Sequence, residues 1–377
     1  MQQNHGVFQP MTLPAGRKVI GTRWVFAYKL HPDGSIICGK EKARLVAQGF
    51  SQHSEDFGET YAPIAKMASI WVVLAFAAAN DYEVLCYNVK SAFLHALLSH
   101  QVYLKQIEGF PEVDPSVVYL ALWAIYGLCQ SSHEFYCLLR KVLEDIGLIW
   151  CEIDHALFFG CFISPPHPSI PMPMTGEDLV IFMPVHVDDS LVATNSLLLY
   201  QWMLDKMNQV IEVNNLGAAS LYLGIRIDRD CPTRKLWLSQ KHVVTDLLTT
   251  YNLLNAHPSS VPLHHKLHAL PEPPPNSLPD IPDSEIKIYY KCLVGSLLYL
   301  ALCTRLVKGK IWMSDRNARR SQGESSNTSI SLQKQSQQLS LRVVVQLHLF
   351  LSRSSSFVFW VEGQLANARR DSGYVIQ

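Results

Sequence analysis

The sequence predicts a fold of mixed helices and strands, and three observations carry that reading. First, residues 178–194, DLVIFMPVHVDDSLVAT, place apolar runs at Leu179–Phe182 and Ser190–Ala193 on either side of a polar tip, Asp188 and Asp189. That is the pattern of strand, tight turn, strand. Second, residues 17–44 alternate cations with aromatic and β-branched residues around the corner sequence HPDG. Third, from Ser131 onward Phe135, Leu138, Leu139, Val142 and Ile146 recur at helical spacing.

At 377 residues the chain has room for two or three domains. Its 32 Lys and Arg balance 32 Asp and Glu, so the formal net charge is zero. Nucleic-acid binders are usually basic overall, so any such surface here must be a local patch. The nine cysteines show no CxxC pair and no Cys/His metal spacing. They read as reduced, buried thiols of an intracellular protein, cytoplasmic or nuclear. The opening MQQNHGVFQPMTLP is polar and proline-broken, unlike a signal peptide, and the longest apolar run, residues 71–79, is too short to span a bilayer. A soluble chain without a membrane partner is expected.

In chain order, residues 1–16 form a polar N-terminal segment. Residues 17–44 then carry Arg17, Lys18, Arg23, Lys29, Lys40, Lys42 and Arg44 against Asp33 and Glu41. RWVFAYKL and SIICGK flank HPDG, where Pro32 presets a corner and Gly34 is free to take positive φ. EKARLVAQGF alternates as a further strand. The product is a basic hairpin whose cations, Arg23 and Lys29 among them, suit phosphates, with Trp24, Phe26 and Tyr28 as core or stacking platform. A solvated basic face on an ordinary hairpin is the plain alternative.

Beyond Pro63 an apolar helix is expected, then a strand over residues 82–90, a short helix over SAFLHALLSH and a strand over QVYLKQ. Ser131 and Glu134 have capping-box spacing at the start of the next helix, and Gly147 ends it. A strand-like stretch over residues 148–159 and a Pro-rich loop, 165–173, lead to the acidic hairpin. After it come a helix over residues 197–213, a hairpin from SLYLGIRIDRD and KLWLSQ, and a helix from KHVVTDLLTTYNLL. Residues 257–284 read as a proline-rich linker and residues 285–305 as an apolar helix. Residues 306–357 have little periodicity and fit no regular element.

The two acids at the hairpin tip are the sharpest chemical signal. Adjacent carboxylates repel, so placing both at a sheet end is costly unless a cation lies beside them. A solvated Asp-Asp turn is the plain alternative.

The blocks KARLVAQGFSQ (42–52), ETYAPIAK (59–66), NVKSAFL (88–94), EGFPEV (108–113), IYGLCQSS (125–132), HVDDSLV (186–192), LYLGIRI (221–227), LWLSQK (236–241) and VGSLLYLA (294–301) occur in one order. Together they resemble the reverse transcriptase of copia-type LTR retrotransposons over roughly residues 17–305. The resemblance implies an α+β, right-hand polymerase of fingers, palm and thumb, occupying residues 17–256. The final NARRDSGYVIQ is similar to the opening of a ribonuclease H domain, which makes residues 358–377 a truncated ribonuclease H-like start.

It also implies a chemistry: attack of a DNA primer 3′-hydroxyl on the α-phosphate of a deoxynucleotide, templated by RNA and assisted by two Mg²⁺ (or Mn²⁺) ions. By resemblance Asp188 and Asp189 are two of three metal-binding carboxylates. Lys42 and Arg44 match the strand that meets the triphosphate, Phe93 the aromatic beneath the sugar, and Gln130 a palm residue near nucleotide and template. Phe93 as plain core, and Lys42 and Arg44 as a plain exposed strand, are the alternatives.

The departures from the family pattern are as informative. Asn88 stands where the third carboxylate belongs, and an amide brings no negative charge. The expected loss of rate is about a hundredfold or more. Cys129 replaces a usual Lys, His133 a usual Arg and His186 a usual Tyr. Pro184 falls inside an expected central strand, where it removes a ladder hydrogen bond. Residues 306–357 read as if from a shifted frame, and Phe359 stands where the family has a metal-binding Asp. The expectation is a polymerase domain by descent whose present chemistry is impaired. Beside it stand a non-catalytic nucleic-acid-binding remnant and a pseudogene product without a stable fold.

Overall fold

In the computed structural model, residues 6–28, 36–39, 41–110, 112, 114–251, 253–255, 283–303 and 375–376 are described. The expected linker up to residue 282, the irregular segment 306–357, Lys29 and the HPDG corner lie outside them, as does the C-terminal block except residues 375–376; the last two positions of the expected linker, 283 and 284, already belong to a helix. The chain divides into two units, residues 1–66 with 83–217, and residues 67–82 with 218–377.

The first unit begins with β1 (Phe8–Thr12), β2 (Val19–Ile20), β3 (Thr22–Ala27) and β4 (Lys42–Ala47). After α1 (Met67–Ala79), which belongs to the second unit, come β5 (Glu83–Val89), a 3-10 turn at Ala92–His95, β6 (Leu97–Leu104) and β7 (Val117–Trp123). Then follow α2 (Ser131–Asp145), β8 (Ile149–Cys151), β9 (Asp154–Phe162), β10 (Leu179–His186), β11 (Asp189–Thr194), α3 (Leu197–Met207) and β12 (Val213–Ala218).

The site is built on the six-stranded sheet of order β12-β5-β11-β10-β9-β8. Its three central strands are apolar on both faces: β10 is buried throughout from Leu179 to Val185, and Phe158, Ile181, Met183 and Val192 are all fully enclosed. A strand covered on both sides reads as a continuous apolar run, and helices supply the cover. Phe135, Leu139 and Leu143 of α2 and Leu199, Met203 and Met207 of α3 belong to the same core. Truncating one such aromatic to Ala costs about 3–5 kcal/mol, so this core holds the hairpin tip in place.

Pro184 sits inside β10, as the sequence implies, and the strand continues through it. Opposite β9 it still pairs with Leu157. Opposite β11 the pairs are Ile181–Thr194, Phe182–Ala193, Val185–Ser190 and His186–Asp189, skipping Met183 and Pro184. A residue without an N–H interrupts a ladder in this way.

A second core, including Ile20, Leu45, Val102, Leu104 and Ile125, lies under the sheet β1-β7-β6-β2 and the β3–β4 hairpin. That hairpin differs from expectation. RWVFA pairs with KARLVA, from Thr22–Ala47 to Ala27–Lys42, and the described residues 36–39 of SIICGK form no strand beyond a bridge at Ile36. The apolar Leu45 and Ala47 are buried, opposite Trp24 and Thr22, whereas Ile36 is exposed. Two glycines fit this region tightly: at Gly127 (φ +91°) an added Cβ would lie 2.1 Å from the Ala47 carbonyl oxygen, and at Gly49 it would lie 2.0 Å from the Gly127 carbonyl oxygen.

Three further expectations are corrected. The capping box does not form: Ser131 donates its hydroxyl to the Ile125 carbonyl, and Glu134 accepts from the Ser99 amide at 3.0 Å. The expected helix SAFLHALLSH is one 3-10 turn followed by strand. Residues 197–213 split into α3 and the start of β12, because Val213 adds to the sheet edge. Gly147, at φ +96°, does terminate the region of α2 as predicted.

The second unit combines α1 with β13 (Leu221–Tyr222), β14 (Ile225–Asp230), β15 (Lys235–Ser239), α4 (Lys241–Thr250), α5 (Asp283–Cys303) and β16 (Val375–Ile376). Arg229 donates to Asp81 at 2.8 Å and Arg234 to the Ala79 carbonyl at 3.3 Å, tying the β14–β15 hairpin to the end of α1. Among the described residues no helix is long and apolar enough to cross a membrane. The nine cysteines are all free, but Cys38, Cys129, Cys137, Cys231 and Cys292 are exposed, against the expectation that the thiols are buried.

Candidate active site

The acidic pair sits at the open end of the six-stranded sheet, where its strands run out of the core. Asn88, Asp188 and Asp189 are half-buried while Tyr87, Val89 and Ser190 beside them are buried. The turn between β10 and β11 is made by Val187 and Asp188, with Val187 at φ +59°. A β-branched residue in the left-handed region is strained by about 1–3 kcal/mol, and such strain persists only where the surroundings over-determine it. Here the Val89 amide donates to the Asp188 carbonyl oxygen at 2.8 Å, fastening the tip to β5.

Cross-strand pairing brings the third position to the pair. Asn88 lies opposite Asp189, and its side-chain amide donates to Asp189 Oδ1 at 2.8 Å and to Asp188 Oδ2 at 3.3 Å. The amide thus faces both carboxylates with its N–H groups. Two carboxylates are hard oxygen donors of the kind a divalent cation takes. Asn88 adds a ligand oxygen only after its amide turns over, and it adds no charge. Among the described residues no three His, Cys, Asp or Glu side chains converge to hold a metal. The donor set therefore fits one hard cation held by two carboxylates and falls short of a three-carboxylate cage. Two residues before Asn88, burial and then the charge of Asp189 push the Cys86 thiol up to about 12, so it stays protonated and unreactive.

The cations expected to meet phosphates are arranged by the β3–β4 register. Arg23 pairs with Val46, Val25 with Arg44 and Ala27 with Lys42. Directly opposed residues share a face and successive ones alternate, so Arg23, Arg44 and Lys42 lie on one face of the hairpin. Trp24 and Phe26 share the other with Leu45. Trp24 donates its indole N–H to the Glu108 carbonyl at 2.9 Å, and Phe26 is 73% exposed.

Arg44 and Phe93, 49 positions apart, meet through a residue that sequence reasoning missed. The Arg44 guanidinium lies 5.7 Å from the centre of the Tyr126 ring, and Tyr126 meets Phe93 edge-to-face at 4.8 Å. Phe93 also abuts the core residue Phe135. Tyr126 stands in the block IYGLCQSS, and its ring between a cation strand and an aromatic is the signal that was there to be used.

Gln130, the position matched to a palm residue near nucleotide and template, is a buried side chain. It is 1% exposed, accepts from the Gln52 amide at 3.0 Å and donates to the Asp56 carbonyl at 3.1 Å. Gln52 accepts in turn from the Cys129 amide, and the Asp56 carboxylate pairs with Arg17 at 3.2 Å. Gln130 is thus a buried strut that holds the 125–130 segment against the loop after β4.

A profile of the reverse transcriptase (RNA-dependent DNA polymerase) family matches residues 5–265. The retrovirus-related Pol polyprotein from transposon TNT 1-94 of Nicotiana tabacum is 32% identical over 305 residues, 80% of this chain and 22% of that protein. Those from transposons RE2 and RE1 of Arabidopsis thaliana are each 33% identical over 76% of this chain and 18% of their own length. The chain therefore spans about a fifth of the length of these relatives. A foamy viral protease-reverse transcriptase solved in complex with double-stranded DNA overlaps 67% of this chain and 38% of its own, at 13% identity and a TM-score of 0.30. On the profile and the sequence identities, this chain belongs to the reverse transcriptase (RNA-dependent DNA polymerase) family, as found in the Pol polyproteins of copia-type retrotransposons.

Proposed function

We propose that the chain is an RNA-directed DNA polymerase domain by descent, with residues 17–256 as its polymerase part, whose nucleotidyl transfer is impaired at Asn88. One observation carries the reading: the Asn88 amide lies across the Asp188–Asp189 pair as a neutral hydrogen-bond donor. Asp188 and Asp189 are the residues to hold Mg²⁺ or Mn²⁺. A bound divalent ion supplies charge neutralisation at the phosphates and a more acidic primer hydroxyl. Without a third carboxylate, the cation has less charge to hold and position it.

The remaining roles belong to this chain's own side chains. The common face of Arg23, Lys42 and Arg44 supports contacts to phosphates of the template, primer or incoming deoxynucleotide. Phe93, braced by Tyr126 and Phe135, supports a rigid floor for the sugar. Gln130 acts as a positioning residue, keeping Tyr126 in place through its buried hydrogen bonds.

A second reading, a nucleic-acid-binding remnant without catalysis, draws on the same basic face. Primer extension on an RNA template with Mg²⁺ or Mn²⁺ separates the two, comparing the native chain with Asn88→Asp. Extension by the substituted protein alone, with the native rate lower by about a hundredfold or more, is the expected result. Equal extension by both overturns the assigned defect. Extension by neither, with nucleic acid still bound, favours the remnant.

A further inference from the structure

Away from the acidic pair, α2 carries a second reactive constellation. His133, Cys137 and Lys141 are spaced at i, i+4 and i+8, so they follow one another along one helix face. The ring of His133 is set by its neighbours: Nδ1 lies 2.7 Å from the Tyr61 carbonyl oxygen and Nε2 lies 3.4 Å from Cys137 Sγ. A carbonyl oxygen can only accept, so Nδ1 carries the proton of the neutral ring and Nε2 turns its lone pair to the thiol. A thiol, a base and a group that orients the base are the parts of an activated nucleophile. Partial desolvation by its surroundings, then Glu134, raise the thiol above its ordinary range, with Arg140 opposing and Glu59 adding. The resting sulfur therefore keeps its proton until the base removes it.

Cys137 is exposed and opens onto a cleft of about 800 Å³ between α2, the start of β6 and the segment after α3. Leu97, Trp123, Leu138 and Ile211 make its apolar walls, and Lys141 lines it with Cys137. An apolar cleft with a few polar groups is the form of a small-molecule site.

We propose that Cys137, with His133 as its general base, is a covalent modification site for α,β-unsaturated carbonyl compounds that carry an apolar group. The addition balances within the site. The thiol proton passes to His133 Nε2 as sulfur bonds the β-carbon, and the π electrons move to the carbonyl oxygen on the side of the Lys141 ammonium. The imidazolium then returns the proton to the α-carbon, leaving a thioether and a neutral histidine. No oxidant or further reactant is consumed. Neither His133 nor Cys137 belongs to the polymerase site, and the proposal does not depend on that reading.

The test is site-resolved alkylation of the folded full chain by N-ethylmaleimide, followed by peptide mass spectrometry, with exposed Cys231 as internal reference. Cys137 is expected to react at least about tenfold faster than Cys231, and His133→Gln, which hydrogen-bonds but takes up no proton, to remove that advantage. N-benzylmaleimide is expected to widen the Cys137 to Cys231 ratio relative to N-ethylmaleimide, since Cys137 lines the apolar cleft. Thermal melting checks that the variant folds, with His133→Asn as the second variant. A Cys137 rate no greater than that of Cys231 in the native chain overturns the proposal without any variant. An advantage that survives in folded His133→Gln removes the base, and a ratio indifferent to the benzyl group removes the cleft.

Discussion

Replacing Asn88 by Asp turns a hydrogen-bonded strut into a site that needs a cation, and the cost follows from the geometry. The native amide donates to Asp189 at 2.8 Å and to Asp188 at 3.3 Å. A hydrogen bond to a charged group contributes about 1.5–3 kcal/mol, the longer one toward the lower end. Asn88→Asp loses both and sets a third negative charge about 4 Å or less from two others, each repulsion costing up to about 4 kcal/mol at an effective dielectric of about 20. Partial solvation of these half-buried groups and relaxation of the turn reduce the sum, leaving a destabilisation of about 3–5 kcal/mol in EDTA. At about 2–4 °C per kcal/mol, the melting temperature falls by about 10 °C. Mn²⁺ at about a hundredfold its Kd returns about 2.7 kcal/mol to the variant, while the native chain responds weakly. Thermal melting of both proteins in EDTA and in Mn²⁺ reads this directly. A variant as stable as the native chain in EDTA, or indifferent to Mn²⁺, refutes the idea that the amide holds the two carboxylates together.

Further expectations concern the surroundings of the site. Cys86 is raised from 9.0 to about 12 by burial and Asp189, so between about pH 9 and 12 the folded thiol keeps a proton that the unfolded one has lost. The folded state then binds more protons, stability falls as pH rises through that window, and Cys86→Ala flattens the fall by up to one proton in urea titrations. Gly127→Ala drives a Cβ to 2.1 Å from the Ala47 carbonyl oxygen at φ +91°, and is expected to cost more than about 2 kcal/mol in chemical denaturation. If Arg23, Lys42 and Arg44 meet nucleic-acid phosphates, replacing any one by Ala reduces the slope of log K against log salt by about one unit. The loss should fall equally on all template sequences, as fluorescence anisotropy would show.

Much of this architecture was legible in the chain, because strands and helices declare themselves through neighbours only a few residues apart. The apolar runs Leu179–Phe182 and Ser190–Ala193 on either side of Asp188 and Asp189, and the helical spacing from Phe135 to Val142, are local patterns that survive into the fold. The family resemblance also singles out Asn88 as the position where a third carboxylate is expected.

What the tertiary structure alone decided was which distant groups meet. EKARLVAQGF, rather than the nearer SIICGK, became the partner of RWVFA, because Leu45 and Ala47 could be buried there. That pairing put Arg23, Lys42 and Arg44 on one face. Ser131 and Glu134 had the spacing of a cap, yet each found a better partner elsewhere, in Ile125 and Ser99. Gln130 is buried, and both ends of its amide are engaged by Gln52 and Asp56, 78 and 74 positions away. The Asn88 amide, 100 and 101 positions from the carboxylates it touches, reached them only by strand register. Propensity is short-ranged, so the sequence by itself determined the elements and their ancestry. Hydrogen bonding and burial between remote segments are set by packing, so only the folded chain determined the site.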